Sequence, residues 1–182
     1  MGKSRWARGL GGAWLAAWVA GAGALPGQEP DGAPGAVDDV RPDPGWTVQT
    51  LAGETFTLGE FRGRPVFVNL WATWCPPCVA ELASIDRLAA AVGDDVAFLL
   101  VSPEDEAPVR AFLRRRPLAV EPVLERTLAP EALGAEALPH TVILDASGRI
   151  VLKHRGAAAW DTPEVEALLR SLVPPRDRRP EP

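Results

Sequence analysis

The sequence Trp71-Ala72-Thr73-Trp74-Cys75-Pro76-Pro77-Cys78 contains both cysteines of this 182-residue chain. Two residues between cysteines is the spacing of a reversible disulfide or of half a metal site, and no third cysteine is present to complete a set of thiolates. The spacing therefore favours a redox pair. Because a disulfide that closes so short a loop adds little stability through chain entropy, we do not expect a structural crosslink.

The residues on either side of the pair predict a strand followed by a helix. The apolar run 65–71 is typical of a central strand buried on both faces. Apolar residues recur every three or four positions in 76–92, and Gly93 ends that pattern. This junction places Cys75 at a helix N-terminus, where the helix dipole and free N–H groups favour a thiolate. We therefore predict that Cys75 attacks disulfides and that Cys78, one turn further and more buried, resolves the mixed disulfide.

The two prolines between the cysteines bear on the direction of the reaction. Neither Pro76 nor Pro77 has a backbone N–H to offer the Cys75 sulfur, so the thiolate depends mainly on the N–H of Cys78. A strong oxidant is one whose reduced form is stabilised. The motif therefore favours a reductant.

The remaining pattern predicts an α/β fold in which a mixed sheet lies between helical layers. The strands around 65–71 and 96–101 should be parallel, with a right-handed crossover. Thr162 is predicted to cap the last helix, with Pro163 in its first position. The other expected elements are a hairpin in 47–57, a turn or short helix at 58–63, a helix at 104–115, a strand at 120–124, a short helix at 128–133, and strands at 141–144 and 149–154 joined by a turn.

The first 25 residues have the character of a targeting segment. Lys3, Arg5 and Arg8 precede an apolar run at 9–25, and Ala22-Gly23-Ala24 supplies small residues of the kind signal peptidase accepts. We prefer a cleaved signal peptide. An uncleaved membrane anchor stays open, because 17 apolar residues are at the lower limit for a span. Either way the domain is exported, into an oxidising compartment.

The rest of the chain divides by composition. Residues 26–45 and 174–182 are rich in Pro, Gly and charged residues and are predicted to be a disordered linker and a disordered tail. The folded domain is therefore expected at 46–173. The formal net charge of −5 gives no electrostatic basis for binding nucleic acid.

The domain resembles exported thioredoxin-fold proteins of the TlpA-like, ResA-like and CcmG-like group. The resemblance implies a thioredoxin-like fold with an N-terminal β-hairpin and a periplasmic or membrane-tethered thiol-disulfide oxidoreductase. Most such proteins are reductants of protein disulfides that serve cytochrome c maturation or copper-site assembly. A membrane electron donor of the DsbD or CcdA kind keeps them reduced, and we expect a monomer without a cofactor. The matching segments are 61–66, 69–78, Glu81, 138–141 and 145–150.

The resemblance also assigns site residues. Pro139 matches the family's cis-proline, which leaves the backbone before it free to pair with a partner protein. The candidate client-binding residues are Trp74, Pro76, Pro77, Leu138 and Pro139.

Glu81 matches an acid that the ResA-like group carries near its cysteines, and it could relay a proton for Cys78. The alternative is a solvated glutamate in an early helical turn. Ala83 stands where that group usually has a proline. Asn69 stands where classical thioredoxins have a buried aspartate, and it cannot titrate, which leaves Glu81 as the candidate proton carrier.

Other functions remain open from the sequence. His140 could join the two cysteines in a Cu(I) or Zn²⁺ site, as in a copper chaperone, although we favour an inert strand histidine and assign no metal. Copper-binding relatives of this fold generally have three residues between their cysteines, which counts against that function. A disulfide oxidant or isomerase is the third alternative, and the Trp-Cys-Pro-Pro-Cys run argues against a peroxidase. His154 is expected on the surface.

Overall fold

The computed structural model describes residues 40–134 and 136–175. The predicted targeting segment 1–25, most of the linker 26–45 and most of the tail 174–182 lie outside these residues. In the part that is described, no helix is both long enough and apolar enough to cross a membrane.

A seven-stranded mixed sheet forms the centre of the domain, with the strand order β2-β1-β5-β4-β3-β6-β7. The central strand β3 pairs in parallel with β4 and antiparallel with β6. The predicted hairpin is confirmed, since β1 and β2 pair antiparallel around Gly53, whose φ is 96°. The strands are β1 (Thr47–Thr50), β2 (Thr55–Thr57), β3 (Val66–Leu70), β4 (Ala97–Ser102), β5 (Val123–Glu125), β6 (His140–Leu144) and β7 (Ile150–Arg155).

Three α-helices join or follow these strands: α1 (Pro76–Val92), α2 (Glu106–Arg115) and α3 (Pro163–Leu172). The bounds of α1 confirm the helix predicted from the apolar periodicity and the glycine stop. Thr162 caps α3 as predicted, because its hydroxyl accepts a hydrogen bond from the Val165 amide. Short 3-10 turns cover Leu58–Phe61, Gly93–Asp95 and Glu131–Leu133.

Buried side chains form a core on each face of the sheet, because successive residues of a strand point to opposite faces. All five residues of β3 are buried, as its continuous apolar run predicted. Phe67 contributes to one core, together with buried residues of α1, α2 and α3. Val66, Val68 and Leu70 contribute to the other core, which Trp46, Leu58 and Leu133 complete from the N-terminal segment and the 3-10 turns.

The strand order explains why α1 and α2 share a face. From β3 to β4 to β5 the chain advances across the sheet in one direction through parallel neighbours. Right-handed crossovers then place both connecting helices on the same side. Both cysteines belong to the core on this helical side, so the fold positions the redox pair between α1 and the sheet.

Three predicted elements are shorter than expected, and side-chain hydrogen bonds account for two of them. The α2 helix begins at Glu106, because the Glu104 carboxylate binds the backbone and hydroxyl of Thr73 instead. β5 begins at Val123 rather than at Val120, whose amide donates to the Asp86 carboxylate. Only Glu131–Leu133 of the helix expected at 128–133 forms, and it is a 3-10 turn.

Residues before Trp46 also pack against the folded domain. The Val40 carbonyl accepts a hydrogen bond from the Ile150 amide at 3.0 Å, and the Pro44 carbonyl accepts one from Gly59 at 2.8 Å. Pro42 is buried. Residues 40–45 therefore lie against the domain, although their composition predicted a linker. A proline-rich segment can still bury an apolar side chain such as that of Pro42.

Candidate active site

Cys75 and Cys78 form a disulfide at the N-terminus of α1, as the spacing predicted. Cys75 is the N-cap residue, and its sulfur accepts a hydrogen bond from the Cys78 amide at 3.3 Å. The exposed fraction is 4% for Cys75 and 0% for Cys78. Cys75 is thus slightly more accessible than Cys78, and the assignment of Cys75 as the attacking cysteine stays a prediction.

The residues that flank the disulfide present an apolar surface to solvent. The Trp74 side chain is 68% exposed, which is unusual for a tryptophan in a domain with two well-packed cores. Pro76 and Pro77 are also exposed. The three predicted client-binding residues around the cysteines are thus accessible to another protein.

The carboxylate of Glu104 holds the loop that leads to Cys75. One oxygen accepts from the Thr73 amide at 2.6 Å, and the other accepts from the Thr73 hydroxyl at 2.7 Å. Ser102 donates a further hydrogen bond to the same carboxylate at 3.1 Å. The sequence pattern predicts a helix at Glu104 and does not predict this contact. Its position at the carboxyl end of β4, beside the parallel β3, was the available signal.

Glu81 is buried, with an exposed fraction of 3%, so the interpretation as a solvated helix residue is wrong. Three uncharged groups donate hydrogen bonds to its carboxylate. Asn69 Nδ2 donates to Oε1 at 2.7 Å. The Ala158 amide and the Trp160 indole Nε1 donate to Oε2 at 3.0 and 2.9 Å. A buried carboxylate needs such donors, because burying an unpaired charge costs several kcal/mol.

Asn69 connects Glu81 to the strand after Pro139. Its Nδ2 also donates to the Thr141 hydroxyl at 2.9 Å, and Asn69 and Thr141 are paired across β3 and β6. Asn69 is fully buried, and its Oδ1 has no hydrogen-bond partner among the described residues. The network therefore joins a helix and two strands within one layer of the core.

Trp160 and the segment before α3 complete this network, and no motif in the sequence predicted their part in it. The Trp160 ring is 3% exposed and packs edge-on against Phe67, with the ring centroids 5.2 Å apart. An isolated tryptophan in an alanine-rich stretch between a strand and a helix was the only signal in the sequence.

The peptide bond between Leu138 and Pro139 is cis, as the resemblance implied. Leu138 is half-buried and packs against both cores. The Pro139 carbonyl accepts a hydrogen bond from the Gly156 amide at 2.9 Å. The main-chain amide and carbonyl of Leu138 form no hydrogen bond within residues 40–134 and 136–175.

His140 does not join the cysteines in a metal site. His140 lies two residues before Val142 in β6, so the two side chains point to the same face of the sheet. Val142 belongs to the core on the face opposite the cysteines. There His140 Nε2 lies 2.6 Å from the Leu133 carbonyl. Burial is the main cause that lowers the pKa of His140, with Arg155 and Lys153 acting in the same direction and the Leu133 contact opposing them. Among the described residues, no group of three or more His, Cys, Asp or Glu side chains could hold a metal ion.

His154 is half-buried rather than a free surface residue. Its ring packs edge-on against Trp160, with centroids 5.3 Å apart. This contact arises because β7 pairs with β6 and brings its side chains over the segment before α3.

The arrangement is suited to thiol-disulfide exchange. It combines a disulfide at a helix N-terminus, an exposed apolar rim around it, and a buried carboxylate on the helix that carries both sulfurs. Exchange requires a thiolate at the outer cysteine and a way to move protons at the inner one.

Comparison with known proteins supports the same chemistry. The Redoxin family model matches residues 34–169. Thiol-disulfide oxidoreductase ResA of Halalkalibacterium halodurans is 32% identical over 114 residues, which are 61% of this chain and 65% of that protein. Thioredoxin-like protein YneN of Bacillus subtilis is 31% identical over 124 residues, 66% of this chain and 73% of that protein.

A solved structure confirms the thioredoxin-like fold. It is that of the exposed lipoprotein thioredoxin Etrx1 of Streptococcus pneumoniae, with a TM-score of 0.56 and 25% identity. The match covers 70% of this chain and 96% of that one.

We predict that Asn69→Asp destabilises the protein in a pH-dependent way. The substitution replaces the amide that lies 2.7 Å from Glu81 Oε1 with a second carboxyl group, and two buried carboxylates in contact cannot both ionise. The folded pair would then bind one proton more tightly than the unfolded chain does, so stability is lost as the pH rises. Urea unfolding should show a loss of about 3 kcal/mol at pH 7.5 and a clearly smaller loss at pH 5.

Asn69→Ser is the matched control, because serine cannot ionise in this range. Because it also removes a donor to Glu81 but adds no second carboxyl group, its loss of stability should change with pH clearly less than that of Asn69→Asp. Equal losses for Asn69→Asp at pH 7.5 and pH 5 would show that Glu81 is not held beside residue 69 as described.

Proposed function

The chain belongs to the Redoxin family and is a thiol-disulfide oxidoreductase, and from this premise we propose that it reduces protein disulfides outside the cytoplasm. The observation that carries the proposal is the Cys75–Cys78 disulfide at the start of α1, with two prolines between its cysteines.

The reduced protein would act through two successive exchanges. The Cys75 thiolate attacks one sulfur of a client disulfide, forms a mixed disulfide and releases the first client thiolate. The Cys78 thiolate then attacks the Cys75 sulfur, restores the Cys75–Cys78 disulfide and releases the second client thiolate. Two electrons pass from the cysteine pair to the client, and an external dithiol must return them before the next cycle.

The hydrogen bonds at Cys75 support the reducing direction. Its sulfur accepts one backbone hydrogen bond, from the Cys78 amide at 3.3 Å, and the two prolines offer none. A thiolate with fewer donors is less stabilised, and a less stable reduced form gives up electrons more readily. The first turn of α1 contains no acidic residue that would add to this effect, so the prolines are its local cause.

Client binding is proposed at Trp74, Pro76, Pro77, Leu138 and Pro139. The exposed rings beside Cys75 offer apolar contact area to a partner, and aromatic residues are common in protein interfaces. The main chain of Leu138, which forms no hydrogen bond within residues 40–134 and 136–175, can form hydrogen bonds with an extended segment of the client. Together these groups would hold the client disulfide in front of Cys75.

Glu81 is proposed to exchange a proton with Cys78 during the second step. Cys78 must lose its proton to attack, and Glu81 lies three residues later on α1, in the adjacent helical turn. Burial supports this role, because Cys78 and Glu81 are both buried side chains of α1 and bulk water has little access to either. The hydrogen bonds from Asn69 and Trp160 fix its orientation.

The extracytoplasmic location rests on the N-terminal sequence. Three basic residues followed by an apolar run are typical of an export signal, with cleavage preferred over anchoring. A related solved structure is described as an exposed lipoprotein. In such a compartment a membrane dithiol donor of the DsbD or CcdA kind would supply electrons, and the clients would be apocytochromes c or copper-site proteins.

Substitution of one cysteine at a time tests the assigned roles. We expect Cys78→Ser to accumulate mixed disulfides with client proteins, because Cys75 can still attack but nothing resolves the intermediate. Cys75→Ser should accumulate few, since the buried Cys78 cannot reach a client. Non-reducing gels and mass spectrometry of affinity-purified protein provide the measurement. Equal accumulation in both variants would refute the assignment.

Export is tested by the fate of the first 25 residues. The full chain, produced in a bacterial host, should fractionate outside the cytoplasm, and its intact mass should correspond to a chain that begins after the small-residue site near Ala24. Deletion of residues 2–25 should retain the protein in the cytoplasm. A cytoplasmic location for the full chain would contradict the proposal.

A further inference from the structure

We propose that Trp160 is a positioning residue, whose indole N–H holds the Glu81 carboxylate in place for proton exchange with Cys78. The inference rests on the proton role of Glu81 in the proposed function. It adds a residue 79 positions away in the chain, from a segment that no motif connects with the cysteines.

The two oxygens of Glu81 accept hydrogen bonds from different parts of the fold. Oε1 accepts from Asn69 in β3, which is part of the sheet. Oε2 accepts from the Trp160 indole at 2.9 Å and from the Ala158 amide at 3.0 Å. Each oxygen of the carboxylate therefore has its own donor, and among the three donors the Trp160 indole is the one side chain that lies outside the sheet.

The indole itself has little freedom to move. Phe67 of β3 and His154 of β7 both pack edge-on against it, with centroid distances of 5.2 and 5.3 Å. The ring is 3% exposed. Rotation of the indole away from Glu81 would require either neighbour to shift in a close-packed core.

The backbone around Trp160 is attached to the same face of α1. The Trp160 amide donates to the Ser84 hydroxyl at 3.1 Å, and Asp161 forms an ion pair with Arg87. Glu81, Ser84 and Arg87 recur every three residues, so they form one stripe along the helix. The segment 158–161 therefore follows α1 and presents the indole to Glu81.

Within the described part of the chain Glu81 forms no ion pair, and its three donors are uncharged. Among the described residues, the titratable groups on the contacting elements are Cys78, three residues earlier on α1, His154, whose ring packs against Trp160, and the Arg87–Asp161 pair. Donors to a carboxylate favour its ionised form, so removal of the indole N–H should make Glu81 hold its proton more tightly.

The test measures the reactivity of Cys78 alone. In a Cys75→Ala background, the rate of alkylation by iodoacetamide is measured from pH 5 to 9 for Glu81→Gln, Trp160→Phe and the double variant. We expect Glu81→Gln to remove the limb of the profile that depends on Glu81. Trp160→Phe should keep this limb but move its midpoint to higher pH by about half to one unit, the equivalent of one hydrogen bond. The double variant should match Glu81→Gln.

Trp46→Phe is the matched control. It removes a buried indole N–H that donates to the Thr127 carbonyl, in the core on the other face of the sheet. Its profile should equal that of the parent. A Trp160→Phe profile that also equals the parent, while Glu81→Gln differs, would overturn the role of Trp160 alone. An unchanged profile for Glu81→Gln would overturn the proton role of Glu81 as well.

A second measurement leaves the core intact. In ¹⁵N-labelled Cys75→Ala protein, the Trp160 indole N–H resonance should shift with pH at the same midpoint as the alkylation limb, because its acceptor changes charge there. A resonance that stays constant across that midpoint would show that the Trp160 indole N–H does not respond to the charge of Glu81. This result would overturn the proposal even if Trp160→Phe failed to fold.

Discussion

The burial of β3 on both faces is the constraint on which the site depends. β3 pairs with β4 on one side and β6 on the other, and all five of its residues are buried. Its end fixes where the loop 71–75 begins, and the Glu104 carboxylate then fixes Thr73 within that loop. Cys75 therefore reaches the N-terminus of α1 in one orientation, with the Cys78 amide directed at its sulfur. The redox chemistry follows from this placement.

A second consequence of the same strand is the buried carboxylate. Asn69 interrupts the apolar run of β3 with a polar side chain on the face that α1 covers, and Glu81 of α1 meets it there. The cost of burying a charge is offset by donors from β3, from the segment before α3 and from the indole of Trp160. Residues from distant parts of the sequence thus donate to one carboxylate, which lies three residues after the inner cysteine on α1.

The local pattern predicted the elements that depend on near neighbours. The apolar run of β3, the period and glycine stop of α1, the Thr162 cap and the hairpin at Gly53 each follow from residues a few positions apart. Cys75 as the N-cap follows from the same junction. The cis peptide before Pro139 was implied by the family resemblance.

Contacts between distant residues could not be predicted in this way. The Glu104–Thr73 and Asp86–Val120 hydrogen bonds join different elements and shorten the predicted helix and strand. His140 has the right chemistry for a metal ligand, but its strand parity turns it to the other face. The hydrogen bond from Trp160 to Glu81 depends on how the segment before α3 crosses α1, and no local sequence pattern predicts that crossing.

The reduction potential of the Cys75–Cys78 pair tests the central claim most directly. Equilibration with glutathione redox buffers at pH 7 should give a potential near that of thioredoxin, about −270 mV. Pro77→Ala restores a backbone N–H in the first turn and should raise the potential, because it adds a donor for the Cys75 thiolate. A potential near that of the strong oxidant DsbA, about −120 mV, would contradict a reductant.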